Sequence, residues 1–264
     1  MNIIVCVKQV PGTTEVKINP ETNTIIREGV ASILNPFDAY AVEEGVRIKE
    51  KTAGKVTVMS MGIPTVAEML RETIAQGADE GVLLSDRTFA GSDSLATSYA
   101  LSMGVKKLGP FDLIICGKQA IDGDTAQVGP SLAERLDIPH CTYVRKIEEI
   151  REGYIRCQRM TEEGYDVVEM TLPALITVVK EINEPRMPSL KSMMRAKSAV
   201  IRVLTAEDVR ADKTMCGHDG SPTWVYKTFT PVHEDKNQMI PGEPDEQARI
   251  LAEHLMSMQF LQGS

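Results

Sequence analysis

The stretch richest in chemistry is Gly117-Lys118-Gln119-Ala120-Ile121-Asp122-Gly123-Asp124-Thr125-Ala126-Gln127-Val128-Gly129-Pro130. It follows the apolar run Leu113-Ile114-Ile115-Cys116 and precedes Ser131-Leu132-Ala133-Glu134-Arg135-Leu136. Strand, glycine-containing loop, helix start is the order in which an open α/β sheet holds an anionic ligand. The free N–H groups and the positive dipole end of a helix N-terminus favour phosphate. Gly123 is expected to take backbone angles closed to other residues, which turns amides inward. Asp124 or Thr125 is expected to cap the helix. Asp122 and Asp124 repel a naked phosphate and fit better as caps or as acceptors for a ribose or ribityl hydroxyl. Turn chemistry alone also accounts for these Gly and Asp residues, so phosphate binding and a plain turn both stay open here.

Other reactive residues point to no catalytic or metal constellation. The five cysteines, Cys6, Cys116, Cys141, Cys157 and Cys216, are scattered and have no CxxC spacing, which argues against a disulfide framework, zinc or an iron–sulfur site. Cys6 and Cys116 lie in strands and read as small buried residues of a reducing cytoplasm. His140, His218, His233 and His254 show no ligand or catalytic spacing. The formal charge of −8 argues against a general nucleic-acid binder. No apolar run approaches bilayer length, and Met1–Val7 is too short for a signal peptide and reads as the first strand.

The elements that must position the loop come in chain order. Asn2–Lys8 reads as a strand broken by Pro11-Gly12-Thr13, and Thr14–Arg27 as a polar hairpin or excursion with Asn19-Pro20 as its turn. Asn35 suits an N-cap and Pro36 a first helical position, followed by an apolar face of Ala41, Val42, Val46 and Ile48. Strands over Lys55–Met61 and Gly81–Leu84 alternate with helices over Thr65–Gln76 and Ser92–Leu108. This alternation predicts a doubly wound α/β fold: a mostly parallel sheet covered on both faces.

The rhythm changes after Pro139. Tyr143–Ile150, Tyr154–Met160 and Tyr165–Met170 read as antiparallel strands of a small sheet, with turns at Glu152-Gly153 and Glu163-Gly164. Ala174–Val179 reads as a buried strand and Val200–Val203 as a short one. From about Ala206 the α/β rhythm is lost. Asp245–Phe260 is expected to be helical, with Ile250, Leu251, Leu255 and Met258 near one face. The domain boundaries expected are 1–204 for the α/β body, with an antiparallel insertion over about 140–172, and 205–264 for a C-terminal extension.

Several motifs together resemble the β subunit of electron transfer flavoprotein: Val7-Lys8-Gln9-Val10-Pro11, Asn35-Pro36-Phe37-Asp38 followed by Ala41-Val42-Glu43-Glu44, Gly77-Ala78-Asp79, Gly117–Asp122, Pro173-Ala174-Leu175-Ile176-Thr177 and Asn183-Glu184-Pro185-Arg186. Their order and spacing carry the resemblance to about residue 204. It implies a heterodimer with a flavin-carrying α subunit, gripped by the C-terminal arm and its terminal helix, and electron exchange with a flavin dehydrogenase of acyl-CoA, enoyl-CoA or 2-hydroxy-acid type. It also implies a nucleotide in the β subunit, either structural AMP or, in an anaerobic branch, a second FAD. That FAD takes a hydride from NADH and bifurcates the electrons between ferredoxin or flavodoxin and the α flavin. AMP-binding relatives usually read Asn-Gln-Thr-Gly where this chain has Ala126-Gln127-Val128-Gly129, so the chain looks more like the FAD-containing branch. The resemblance implies an adenine side formed by Cys6, Asn35, Pro36, Phe37, Asp38 and Met61. It implies a pyrophosphate cradle from Gly117, Lys118, Gln119, Asp122, Gly123, Asp124, Thr125, Ala126, Gln127 and Val128, with Thr125 and Gln127 as side-chain donors and Lys118 against the phosphates. It implies a dehydrogenase-recognition loop over 183–197, with Leu190 as anchor beside Pro188 and Met193. No acid, base or nucleophile is called for, since the flavin carries the chemistry.

Overall fold

Short runs rich in Val, Ile and Leu become the central strands, each bounded by Gly, Pro, Asp or Asn. The computed structural model describes residues 1–12, 32–226 and 238–258. In chain order these form β1 (Asn2–Cys6), β2 (Gln9–Pro11), β3 (Ser32–Leu34), α1 (Pro36–Thr52), β4 (Lys55–Met61), α2 (Val66–Gln76) and β5 (Glu80–Leu84). There follow α3 (Ser94–Leu108), β6 (Leu113–Gly117), α4 (Val128–Leu136), β7 (His140–Arg151), β8 (Tyr154–Met160), β9 (Tyr165–Thr171), β10 (Ala174–Val178), α5 (Leu190–Lys197), β11 (Arg202–Leu204) and α6 (Pro244–Ser257). The expected excursion over Thr14–Arg27, and Phe260 at the end of the last helix, lie outside the described residues.

One nine-stranded sheet has the order β11-β5-β4-β1-β6-β10-β7-β8-β9, and β2 pairs with β3 in a separate two-stranded sheet. Pairing is parallel from β11 to β7 and antiparallel from β7 to β9. The antiparallel strands therefore extend the main sheet. β7 begins at His140, ahead of the expected Tyr143, because its first residues pair with β10 before the strand takes β8 as partner.

Side chains alternate across each strand, so the sheet feeds two cores. Ile3, Val5, Val56, Val58, Leu113 and Ile115 face α1 and α2, packing on Val42, Val46, Leu70 and Ile74. Ile4, Cys6, Met59, Ile114 and Cys116 face α3 and α4, packing on Leu101, Val105 and Leu132. Leu204, Ala206, Val209 and Cys216 join this second core, so the chain beyond 204 first continues along the α3 face. The chain divides into two compact units, Met1–Lys227 and Thr228–Ser264. In the second, α6 starts with Pro244 in its first turn and buries none of its residues. No helix among the described residues is long and apolar enough to cross a membrane.

The strand order reverses between β1 and β6. β1 leads through α1 to β4 on one side, and β6 leads through α4 to the strands on the other. The position beyond the carboxyl ends of two strands at such a reversal is the usual place for a ligand crevice in open α/β sheets.

Candidate nucleotide site

The crevice is walled by the end of β1, the start of α1 and the loop from Gly117 to Gln127. Asn35 is wholly buried at the N-cap position of α1. Pro36 comes next, in the first turn, where a missing N–H costs nothing. The Asn35 side chain makes no capping bond. Its amide donates to the Gln119 carbonyl at 2.9 Å, and its carbonyl accepts from the Ile121 N–H at 3.1 Å. The residue expected to cap the helix instead ties the loop to the helix.

Asp38 lies one turn on and is buried. Its carboxylate accepts from the Lys8 N–H at 2.7 Å and from the Gly117 N–H. This explains why β1 ends before Lys8: the Val7 N–H bonds the Met59 carbonyl, and the next amide turns to a side chain. Burial pushes the Asp38 carboxyl up to about 7, against the lowering effect of the Asn35 side chain and of the Lys8 and Gly117 amides. Gly117 is required by close approach: a Cβ there would stand 2.7 Å from the Phe37 carbonyl carbon and 2.8 Å from the Asp38 nitrogen.

The loop itself departs from expectation in two respects. Gly123 is not left-handed, and a Cβ on it would meet open space. The left-handed residues are Asp124 (φ 51°) and Ala126 (φ 53°). The short Asp side chain tolerates that region by local hydrogen bonding, and here Asp124 accepts from Gln119 Nε2 at 2.6 Å. Neither Asp124 nor Thr125 caps α4; its N-cap is Gln127, in the right-handed region and without a side-chain cap. Val128 is thus the first helical residue. Left-handed Ala126 followed by right-handed Gln127 forms a nest, a backbone concavity whose amides converge on an anion. Among the described residues the amides of Thr125, Ala126, Gln127 and Val128 donate to no protein acceptor.

The remaining side chains complete the walls. Lys8 Nζ pairs with Asp122 at 2.6 and 2.8 Å, and with Gln119 on Asp124 both loop carboxylates are engaged. Thr125 Oγ1 lies 3.2 Å from Ser94 Oγ at the start of α3, whose cap Asp93 accepts from the Leu95 and Ala96 amides. Two helix N-termini therefore flank the loop. The Lys118 ammonium sits over the rings of Phe37 and Tyr143, at 5.7 and 5.2 Å from their centroids. Cys6 faces Cys116 across paired strands, and both are buried. The hydrogen bond with Cys6, then burial, pushes the Cys116 thiol well up. Met61 packs on the α3 side of the sheet, opposite the face carrying α1.

Sequence reasoning passed over three residues here. Lys8 holds both Asp38 and Asp122 but follows the strand like any surface lysine. Tyr143 takes a left-handed φ of 58° at an irregularity between β7 and β10, held by its N–H on buried Thr177 Oγ1 at 3.1 Å. Nothing in its spacing signals this. Gly129 lets α4 approach β10: a Cβ would stand 2.6 Å from the Thr177 methyl.

A second surface lies over 183–197. Its last eight residues form α5, where an open loop was expected, because Ser189 caps it by accepting from the Ser192 N–H at 3.1 Å. Leu190 is 78% exposed and Met194 74%, with Met193 more sheltered at 38% and Pro188 partly buried.

Comparison with known proteins bears on this arrangement. The model of the electron transfer flavoprotein domain matches residues 22–209. The chain belongs to the electron transfer flavoprotein family, as a β subunit. The electron transfer flavoprotein subunit beta of Thermoanaerobacterium thermosaccharolyticum is 51% identical over 97% of this chain and 98% of its own length. The caffeyl-CoA reductase-Etf complex subunit CarD of Acetobacterium woodii is 49% identical over 92% of each chain. Protein FixA of Azotobacter vinelandii is 42% identical over 99% of this chain and 95% of its own. The resemblance noted on scattered motifs thus extends over nearly the whole chain, including the C-terminal part.

Proposed function

We propose that this chain is the β subunit of a cytoplasmic heterodimer whose crevice binds FAD. When bound, FAD supplies acceptance of a hydride from NADH and one-electron release to ferredoxin or flavodoxin and, through an α-subunit FAD, to a partner dehydrogenase. The observation that carries the site is the nest of Ala126 and Gln127 at the start of α4, in the connection that leaves β6 where the strand order reverses.

The residues present fit the phosphates of a nucleotide, and the small Ala126 and apolar Val128, which leave room beside them, support FAD over AMP. The amides of Thr125, Ala126, Gln127 and Val128 bind the diphosphate, aided by the dipole of α4. Gly117 adds no side chain of its own to the wall between the loop and α1, which leaves room there for the Asp38 carboxylate. Asn35–Asp38 and the end of β1 at Cys6 take the adenosine side, with Met61 across the sheet end. Lys8 neutralises Asp122, which removes one of the two charges that oppose phosphate. Lys118, held between two aromatic rings, keeps a positive charge at the mouth of the crevice. Protein groups here bind, orient and set the field, and no proton donor or nucleophile is assigned.

The same reading covers the rest of the chain. Residues 1–204 form the nucleotide-binding domain, with the insertion over about 140–172; of the extension 205–264, the first part packs on the α3-side core as far as Cys216, and the part beyond Lys227 is the arm that grips the α subunit. The exposed apolar residues Leu251 and Met256 of α6, and Met258 just past its end, support this role. Leu190, with Pro188 and Met193, anchors the dehydrogenase. Five buried free cysteines accord with a reducing compartment.

The deciding experiment is cofactor analysis of the purified heterodimer. Two FAD per pair, bleached by NADH, are expected. One FAD and one AMP would make this subunit a scaffold and docking module with a structural nucleotide, and would end the redox assignment.

A further inference from the structure

The segment Asn183–Arg186 is fastened to a single stripe of α1. Asn183 Nδ2 donates to the Tyr40 carbonyl and to Glu44 Oε2, each at 3.0 Å. Arg47 Nη2 donates to the Glu184 carbonyl at 3.2 Å. The Arg186 amide donates to Glu43 Oε2 at 3.2 Å, and its guanidinium holds both Glu43 oxygens, at 2.8 and 3.2 Å. The same guanidinium reaches both oxygens of Glu50, at 2.6 and 3.0 Å. Tyr40, Glu43, Glu44, Arg47 and Glu50 recur at helical spacing and so share a face.

Glu43 is the centre of this arrangement. Its side chain is 4% exposed, yet burial is outweighed by Arg186 and Arg47, which hold its carboxyl below the usual range. A buried carboxylate so thoroughly paired is a weak source of stability but a strong source of geometry, because removing either partner strands the other charge. The next stretch of chain needs that geometry. Met187 is exposed, Pro188 stiffens the approach, and α5 then presents Leu190 and Met194 to solvent. Eight residues are too few to stay helical unaided. The far end of α5 is held by buried Ala196 and by Arg71 Nε on the Ala199 carbonyl at 3.2 Å. The near end has the α1 latch.

We infer that Glu43 is a positioning residue for docking: by clamping Arg186 it sets the place and rigidity of the Leu190–Met194 face that meets the dehydrogenase. This rests on the docking role proposed above. Nothing in the Glu43 carboxylate touches the partner; it acts through Arg186 and the two prolines.

The test uses the intact heterodimer carrying Glu43→Gln or Arg186→Lys; the lysine keeps the charge and loses the fork. Hydrogen exchange of residues 187–197 is measured by mass spectrometry. Electron transfer is measured with whichever of purified acyl-CoA, enoyl-CoA and 2-hydroxy-acid flavin dehydrogenases the unmodified heterodimer serves fastest. Expected are exchange about tenfold faster over 187–197 alone, a KM for the dehydrogenase raised about tenfold, and an unchanged kcat. Exchange over 187–197 that stays at its original rate, or a uniform fall in melting temperature and kcat without a KM effect, would overturn the inference. Leu190→Ala run in parallel separates the two readings. If it leaves KM unchanged, the docking role fails and the latch is judged by exchange alone.

Discussion

The buried carboxamide of Asn35 bridges Gln119 and Ile121, giving its amide hydrogen to one carbonyl and its oxygen to the other residue's N–H. It thereby fixes the Gly117–Gln127 loop to the start of α1 at two points, through a side chain that is itself wholly buried. Asn35→Ala removes the side-chain partner of both the Gln119 carbonyl and the Ile121 amide, which should cost about 1–3 kcal/mol for two part-buried hydrogen bonds. The urea midpoint of the heterodimer is expected to fall with its slope unchanged, and AMP affinity of the nucleotide-free protein to fall with it. A loss below about 0.5 kcal/mol, the level of an ordinary surface substitution, would mean that the bridge does not form in solution.

Asp38 gives the site a pH dependence of defined sign. Its folded pKa of about 7 stands above the ordinary value of 3.8. Between those values the folded state holds a proton that the unfolded state has released. Its stabilising contribution is therefore full below about pH 4 and is lost as pH rises through 7. Asp38→Asn removes that titration. The unfolding free energy of the unsubstituted protein, relative to the variant, should decline from pH 4 to pH 8 by a few kcal/mol at most, with a slope no steeper than about 1.4 kcal/mol per pH unit. Carbon-13 NMR of the labelled carboxyl gives the direct check: a midpoint near 4 would remove the effect.

The parallel sheet was legible because its strands are apolar runs such as Leu113–Cys116 separated by helices with one apolar face. The place proposed for the site rests on the same alternation, since open α/β sheets hold ligands at a strand–loop–helix unit beside a topological switch. The conformations inside the loop were not legible. Gly123 invited the left-handed assignment, yet Asp124 and Ala126 carry it, because tertiary ties from Asn35 and Gln119 set the backbone path. Side-chain partners also explain the α4 start: Ser94, 31 positions away, engages Thr125, and Gln119, within the loop, engages Asp124, so neither is left at the cap position. The Tyr143 irregularity depends on Thr177, 34 positions away, a pairing that local pattern does not encode.

Leu190→Ala probes the docking role without touching the nucleotide crevice. The side chain is 78% exposed on α5, so its removal should leave the melting temperature within about 1 °C of the original, in line with surface substitutions. An interfacial anchor of this size is worth at least about 1.4 kcal/mol, or tenfold, in affinity. The KM for the dehydrogenase should rise by that factor, while reduction of the flavin by NADH keeps its rate. Equal losses in both half-reactions would remove the docking assignment.

Two glycines of the central loop should respond in opposite ways. Gly117→Ala drives a methyl into the Asp38 carboxylate and into backbone atoms of Phe37 and Asp38, and the backbone atoms cannot swing aside. The clash should cost about 1–3 kcal/mol of stability and open the wall of the crevice. Gly123→Ala meets open space at a φ outside the left-handed region, so it should raise stability by about 0.4–1 kcal/mol through the unfolded chain. Its effect on ligand binding is then informative, because stability no longer confounds it. A diphosphate seated on the Ala126–Gln127 nest lies C-terminal to Gly123 and tolerates the methyl, so affinity for AMP and FAD, measured by calorimetry on the nucleotide-free heterodimer, should change less than about threefold, under 1 kcal/mol. A loss of tenfold or more in a protein of equal or greater stability would move the phosphates to Gly123 and away from the nest.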